Sequence, residues 1–429
     1  MAREVNEPKN EYMVIDLKSF FASVECVERG LDPFTTNLVV ADPDREKGTL
    51  CLAITPAMKA LGVKNRCRVY EIPKEIDYIM ASPRMQLYID YSAEIYGVYL
   101  KYIAKEDIHV YSIDEAFLDI SNYREYYNMS AKEIGQMIID EVFRETGITA
   151  SCGIGTNMYL AKVALDITAK HAKDHIGILT EESFCNTLWE HRPLTDFWRI
   201  GSGTAERLRR YGVMCMGDLA KLSEYDEDLL YRVFGVDAEL LIDHAFGKEP
   251  VSMKDIKTYK PKNTSLSCGQ VLLRDYEYEE AKLIVKEMLE LLCLDLVDKG
   301  LITDSIILYV GYSHTVTYPG AKGTVSFSTA TSSAEKMRKD ITALYERIVH
   351  PCIPIRRINL CCNRLIDQTY QQYDLFLDTR KLQKERDIQK AMLEIKERFG
   401  KNAVLKGMNL LEAGTTIARN GQIGGHKSG

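Results

Sequence analysis

The sequence predicts an α+β protein in which two βαββαβ modules flank a helical stretch. Three observations carry this. Between residues 12 and 154, short apolar runs and amphipathic segments follow in the order strand, helix, hairpin, helix, strand, the split βαβ or ferredoxin-like arrangement. A second strand–helix–strand, strand–helix–strand series lies between residues 266 and 361. Residues 171–247, between the two, show short helices and turns without a convincing strand.

In chain order, 12–16 and 38–41 read as strands, and 23–28 and 56–61 as helices, the second stopped by Gly62. Leu87, Tyr88, Tyr91, Ile95, Val98, Tyr99 and Ile103 recur at helical spacing across 84–104. The strand around Val110 and the strand at 116–120 are separated by only the length of a tight hairpin. A helix over 131–146 and a strand over 149–154 complete the first module. Residues 248–263 are lysine-rich, contain Pro250 and Pro261, and read as a linker. The second module comprises strands at 266–272, 304–311, 323–327 and 355–361, with helices at 279–297 and 333–348. After Asp367 follow one charged helix (380–399) and a glycine-rich end, 421–429, expected to be disordered.

Bulk properties narrow the class. A chain of 429 residues suits roughly two to four domains of about 100–200 residues each. With 46% hydrophobic and 27% charged residues and no membrane-length apolar run, it reads as globular. The N-terminus has no apolar core for a signal peptide, so a cytoplasmic location is expected. Eleven scattered cysteines without a Cys-x-x-Cys pair fit reduced thiols better than disulfides or zinc. His171 and His175 have i, i+4 spacing, but they sit in a lysine-rich loop and are not read as zinc ligands. The net charge of −7 excludes nucleic-acid binding over the whole surface, but not through local clusters. Five lysines between Lys248 and Lys262, and Arg207, Arg209 and Arg210, form such clusters.

The chemistry concentrates in two short acidic motifs. Asp16 ends the first strand, and Asp114 and Glu115 lie between the strands of the hairpin. Separately, such acids usually cap a strand or solvate a turn. In a split βαβ sheet, however, the first strand neighbours the central hairpin, so all three meet. Three hard oxygen ligands can hold two Mg²⁺ ions, the usual device for in-line phosphoryl transfer. Phe20 and Phe21 fall where a nucleotide sugar would lie. The combination points to a nucleotidyl transferase.

The stretch 14–25, Val-Ile-Asp-Leu-Lys-Ser-Phe-Phe-Ala-Ser-Val-Glu, resembles the opening motif of the Y-family (translesion) DNA polymerases. Residues 111–119, Tyr-Ser-Ile-Asp-Glu-Ala-Phe-Leu-Asp, resemble their second motif. Residues 152–162, Cys-Gly-Ile-Gly-Thr-Asn-Met-Tyr-Leu-Ala-Lys, resemble the third, a glycine turn leading to a helix with a lysine. The likeness covers about residues 12–365, continues in the tail, and is greatest to the bacterial DinB/UmuC branch, on its UmuC-like side.

The resemblance implies a right-hand polymerase: a ferredoxin-like palm (1–19 and 85–170), small fingers (20–84), and a helical thumb with a helix-hairpin-helix (171–247). A linker (248–263), a ferredoxin-like little finger (264–366) and a tail with a clamp-binding motif (367–429) would follow. Asp16, Asp114 and Glu115, with the Leu17 carbonyl, would bind two Mg²⁺. Phe21 would be the steric gate against ribonucleotides, with Phe20 beside it. Lys162 would contact the incoming phosphates. In the fingers, Pro56 and Lys59 stand where relatives have tyrosine and arginine, replacing a bidentate fork with a point charge. Ile200, Gly201 and Gly203 resemble the thumb hairpin that holds a DNA phosphate, although Arg199 occupies its usual first glycine position. Arg356 and Arg357 match template-backbone contacts. Gln372, Leu375 and Phe376 resemble the sliding-clamp peptide.

The expected partners are primer-template DNA, dNTPs and the sliding clamp, with an SOS accessory subunit or recombinase left open. A monomer is expected. Two rival readings compete with this one. A nucleotide cyclase on the same palm would need neither a thumb hairpin nor a clamp peptide. A non-catalytic, polymerase-derived DNA-binding or regulatory protein would be suggested by a missing acid, and all three are present.

Overall fold

The computed structural model describes residues 10–45, 48–261, 264–370 and 378–429. The chain divides into two compact units, Met1–Tyr259 and Lys260–Ser428.

The first unit opens with β1 (Tyr12–Leu17) and α1 (Phe20–Val27). A three-stranded sheet follows, made of β2 (Leu38–Val40), β3 (Ala53–Ile54) and, after α2 (Pro56–Ala60), β4 (Ile79–Ala81). The main sheet then resumes through α3 (Met85–Leu100), β5 (Ile108–Val110), β6 (Glu115–Asp119), α4 (Tyr123–Tyr127), α5 (Ala131–Thr146), β7 (Ala150–Gly155), α6 (Met158–Val163) and β8 (Ile176–Leu179). Its order is β5-β6-β1-β7-β8. Each of the first four strands is antiparallel to its neighbours, as a split βαβ module requires. β8 extends it, parallel to β7, so the stretch expected to be strand-free contains one strand.

Local signals explain the covering helices. Ser130 and Glu133 form a reciprocal capping box at the start of α5, and Gly147 (φ 70°) ends it. Ile134, Ile138 and Val142, at helical spacing, bury against Met13, Ile15 and Leu118 of the sheet. Helices α7 (Glu181–Leu188), α8 (Ser202–Arg209), α9 (Met216–Tyr225), α10 (Glu227–Phe234) and α11 (Asp237–Ala245) pack around a separate core that includes Phe184, Phe197, Leu208, Leu219 and Leu241. Within the expected linker, Met253–Thr258 forms a helix, α12. Its Met253 is buried with Tyr12, Val14 and Phe117, in the same cluster as Met158 and Ala161 of α6.

The second unit contains β9 (Leu266–Tyr276), α13 (Tyr278–Asp298), β10 (Leu301–Tyr312), β11 (Ala321–Thr331), α14 (Ala334–Ile348) and β12 (Ile355–Asn363). The βαββαβ element order is as expected. The strand order is β11-β10-β12-β9, however, with the second and fourth strands central, whereas the first sheet centres its first and third. In both sheets each βαβ pair is split by one inserted strand.

Beyond β13 (Ile366–Asp367), the helix α15 (Thr379–Phe399) and α16 (Thr416–Asn420) pack onto this unit. The expected disorder of 421–429 is corrected: β14 (Gln422–Ile423) and β15 (His426–Lys427) form a small hairpin. The preceding segment is anchored by polar contacts, Asn409 Nδ2 and the Thr415 amide each donating to buried Glu287 at 2.8 Å. Such anchors leave no periodic apolar signal in the sequence.

Candidate active site

Alternation along β1 divides its side chains between the two sheet faces. Met13, Ile15 and Leu17 join the core beneath α3 and α5; Tyr12 and Val14 join the opposite cluster with Phe117, Met158 and Leu165. Asp16 falls on that second face. In register, Val14 lies opposite Phe117 and Asp16 opposite Glu115. Asp114 immediately precedes β6, and its carbonyl accepts a hydrogen bond from the Leu17 amide at 2.9 Å. The pairing therefore brings three half-buried acids to adjoining strand ends.

Like charges directly opposite on a sheet repel. Burial first, then the charges of Asp114 and Glu115, push the Asp16 carboxyl up from 3.8 to about 7. The other two acids have taken local partners. Ser112 Oγ donates to Asp114 Oδ1 at 2.7 Å, and Lys162 Nζ pairs with Glu115 Oε1 at 2.8 Å and Asp166 Oδ1 at 3.0 Å. Among the described residues, no three His, Cys, Asp or Glu side chains close on one point as a formed metal site. The donor set nevertheless suits a hard dication: carboxylate oxygens gathered where Asp114 and Glu115 disfavour the ionised form of Asp16. The Ser112 and Lys162 contacts each use one carboxylate oxygen, Asp114 Oδ1 and Glu115 Oε1, which leaves the other oxygen of each for a cation.

Lys162 reaches this point because α6 lies very close to β7. A Cβ on Gly153 would stand 2.1 Å from the Ala161 carbonyl oxygen, and one on Gly155 2.3 Å from the Ala161 amide. These glycines are strand positions that admit the helix; the glycine turn read from the sequence is corrected accordingly. Asn157 then caps α6, its Oδ1 accepting from the Leu160 amide at 2.8 Å. Beyond α6 a π-helical turn spans Ala164–Thr168 and carries Asp166. Burial alone would lower the Lys162 ammonium; Asp166 and Glu115 outweigh it and keep the group charged.

Two further lysines feel Asp16. Lys18 is brought down to about 8 by burial, with Asp16 opposing and Lys59 adding to the shift. Lys59, on α2 behind the Thr55 cap, is lowered by its surroundings against the same Asp16 charge. Lys18, Ser112 and Asp166 were not singled out from the sequence. The i, i+4 spacing of Lys162 and Asp166 was the available signal for the last.

The two phenylalanines part company. Phe20 is 2% exposed and belongs to the sheet core. Phe21 is half-buried, its ring stacked on Tyr88 with centroids 4.5 Å apart and planes at 17°.

Residues 15–166 match the impB/mucB/samB family, and residues 263–375 match the impB/mucB/samB family C-terminal domain. The chain is 31% identical to UvrX of Bacillus subtilis (strain 168), whose name assigns it provisionally to UV-damage repair, over 98% of each chain. The chain belongs to the impB/mucB/samB family of Y-family DNA polymerases. It is 30% identical to DNA polymerase IV 2 of the same organism, over 96% of this chain and 98% of the relative. The Y-family DNA polymerase chimera Dbh-Dpo4(243-245)-Dbh shares the fold, with a TM-score of 0.63 and 21% identity over 83% of this chain and 99% of that one.

In this Y-family polymerase the remaining expected contacts are spread over the two units. Arg199 adopts φ 69°, a left-handed backbone in which glycine is unstrained, and its guanidinium lies 5.3 Å from the Trp198 ring centroid. Ile200 is buried, while Gly201 and Gly203 face open space at the N-terminus of α8. In the second unit, Arg356 sits at a register shift of β12 and approaches Asp275 at 3.6 Å. Arg357 is exposed, with Nε 3.3 Å from Asn359 Oδ1. Gln372, Leu375 and Phe376 lie outside the described residues. No helix among the described residues is long and apolar enough to cross a membrane.

Proposed function

We propose that this DNA-directed DNA polymerase, a translesion enzyme of its family, performs nucleotidyl transfer at Asp16, Asp114 and Glu115. The observation that carries the reading is the register that sets Asp16 opposite Glu115, with Asp114 bonded to Leu17. Family membership implies dependence on a divalent metal; the finer reading is two Mg²⁺ ions, held by the three carboxylates and the Leu17 carbonyl. Such ions, when bound, lower the pKa of the primer 3′-hydroxyl and neutralise the triphosphate and departing pyrophosphate.

The chain's own residues supply the rest. Lys162 stays charged at the edge of the acids and is released toward an incoming phosphate when Glu115 takes another partner. Lys59 adds positive charge near Asp16 as a point contact. The exposed edge of Phe21 occupies the space a ribose 2′-hydroxyl would need, while Phe20 supports it from the core. Ile200, Gly201 and Gly203 present backbone amides to a DNA phosphate, and Arg356 and Arg357 contact the template backbone. Gln372, Leu375 and Phe376 recruit the sliding clamp. An SOS accessory subunit or recombinase is a further candidate partner, and the enzyme works as a cytoplasmic monomer.

The direct test is primer extension on undamaged and abasic templates with Mg²⁺ and single dNTPs. Incorporation opposite the abasic site, without exonucleolytic shortening, is expected. Failure to extend even the undamaged primer would contradict the reading.

A further inference from the structure

We infer that Glu25, together with Arg84 and Tyr88, positions the Phe21 ring and thereby sets how strongly the polymerase rejects ribonucleotides. This rests on the reading of Phe21 as the sugar gate. Two i, i+4 pairs meet here: Phe21 and Glu25 on α1, and Arg84 and Tyr88 at the start of α3. Phe21 stacks on Tyr88. The Tyr88 hydroxyl donates to Glu25 Oε1 at 2.7 Å, and Arg84 Nε and Nη2 donate to Oε1 and Oε2, both at 2.9 Å. Arg29 completes the set, donating to the Glu25 carbonyl at 2.7 Å and pairing with its carboxylate.

Glu25 is fully buried. Burial acts to raise its carboxyl, but hydrogen bonds from Arg84, Tyr88 and Arg29 outweigh it and hold the group ionised. A buried, multiply paired carboxylate is a poor way to gain stability, since apolar side chains of similar volume fill such space as well. It is a good way to fix geometry. Stacking sets the separation of two ring planes but lets them slide. A hydroxyl bonded to a carboxylate that is itself held by a bidentate arginine removes that freedom. A gate that works by overlap depends on where the ring edge stands, so lateral freedom in Tyr88 becomes tolerance of a 2′-hydroxyl at Phe21.

The test compares the rNTP/dNTP ratio of kcat/KM, alongside Tm, in the parent, Tyr88→Phe, Arg84→Lys, Arg84→Gln, Phe21→Ala and the double variant Phe21→Ala/Tyr88→Phe. Tyr88→Phe keeps the stack and loses only the hydroxyl. Its ratio should rise about tenfold, the effect of one charge-assisted hydrogen bond, with a modest fall in Tm because Arg84 and Arg29 still pair the Glu25 carboxylate. Arg84→Gln should raise the ratio and Arg84→Lys should partly restore it. Adding Tyr88→Phe to Phe21→Ala should change the ratio no further. A parental ratio in Tyr88→Phe and Arg84→Gln, with Phe21→Ala raised, would overturn the positioning role and leave the gate intact. A parental ratio in Phe21→Ala would remove the gate and this inference with it. Should Arg84→Gln not fold, Tyr88→Phe decides alone.

Discussion

At Asp16 the register of β1 and β6 places a carboxylate opposite Glu115, where burial and the neighbouring acids outweigh the pull of Lys162. Its folded-state value, about 7, lies above its ordinary 3.8. The metal-free folded state therefore binds a proton between those values more readily than the unfolded chain does. Stability is then greatest below the ordinary carboxylate range, falls as pH rises toward about 7, and levels off above it. Asp16→Asn should raise the Tm of the metal-free protein clearly more at pH 8 than at pH 4.5, and Mg²⁺ should stabilise the parent more than the variant. Equal Tm differences at the two pH values, read by calorimetry in chelator, would show that Asp16 carries no such strain. The meeting of the three acids was legible in the sequence because strand adjacency follows from element order. Their present partners were not, since Ser112 and Lys162 reach them through side-chain directions that no spacing rule fixes.

The elements show where pattern reading stops. α5 was legible to the residue because an apolar stripe and a capping box agree. β8 was not: it has four residues, Gly177 interrupts its apolar run, and His175 before it adopts φ 60°. It forms because Gly177 lets the segment after α6 pass close by; a Cβ there would stand 2.4 Å from the Ala164 carbonyl oxygen. The same closeness makes a prediction at β7. Gly153→Ala would drive a methyl into the Ala161 carbonyl and the Leu165 amide, backbone atoms that cannot turn away. It should cost about 3 kcal/mol or more in denaturant unfolding and displace Lys162. Gly97→Ala, in α3 with nothing within 4 Å of the new methyl, should gain about 0.5–1 kcal/mol instead. Similar small effects at both positions would contradict the packing account.

For the whole molecule, element order made both βαββαβ modules legible and the strand order of the first, but not how the strands of the second interleave. The second unit centres β10 and β12, an arrangement that burial patterns alone do not distinguish from that of the first. The C-terminal segment was misread for a different reason: Glu287 holds the stretch before it through hydrogen bonds and residues 422–427 pair as a hairpin, neither of which leaves an apolar stripe. Recruitment is a property at this scale too. Replacing Leu375 and Phe376 with alanine should leave distributive synthesis unchanged and abolish stimulation by the clamp, because a peptide's apolar anchors carry most of its affinity. Clamp binding that persists undiminished in a pull-down would place the contact elsewhere. The central claim, however, is that the acids joined by the β1–β6 register perform the chemistry. Single-turnover incorporation of one dNTP with Mg²⁺, measured beside primer-template affinity in Asp114→Ala and Glu115→Ala, tests it most directly. Incorporation should fall by about a thousandfold or more in each variant while DNA affinity stays near parental, since backbone contacts elsewhere supply it. Both variants retaining more than about a few per cent of parental incorporation would contradict the account.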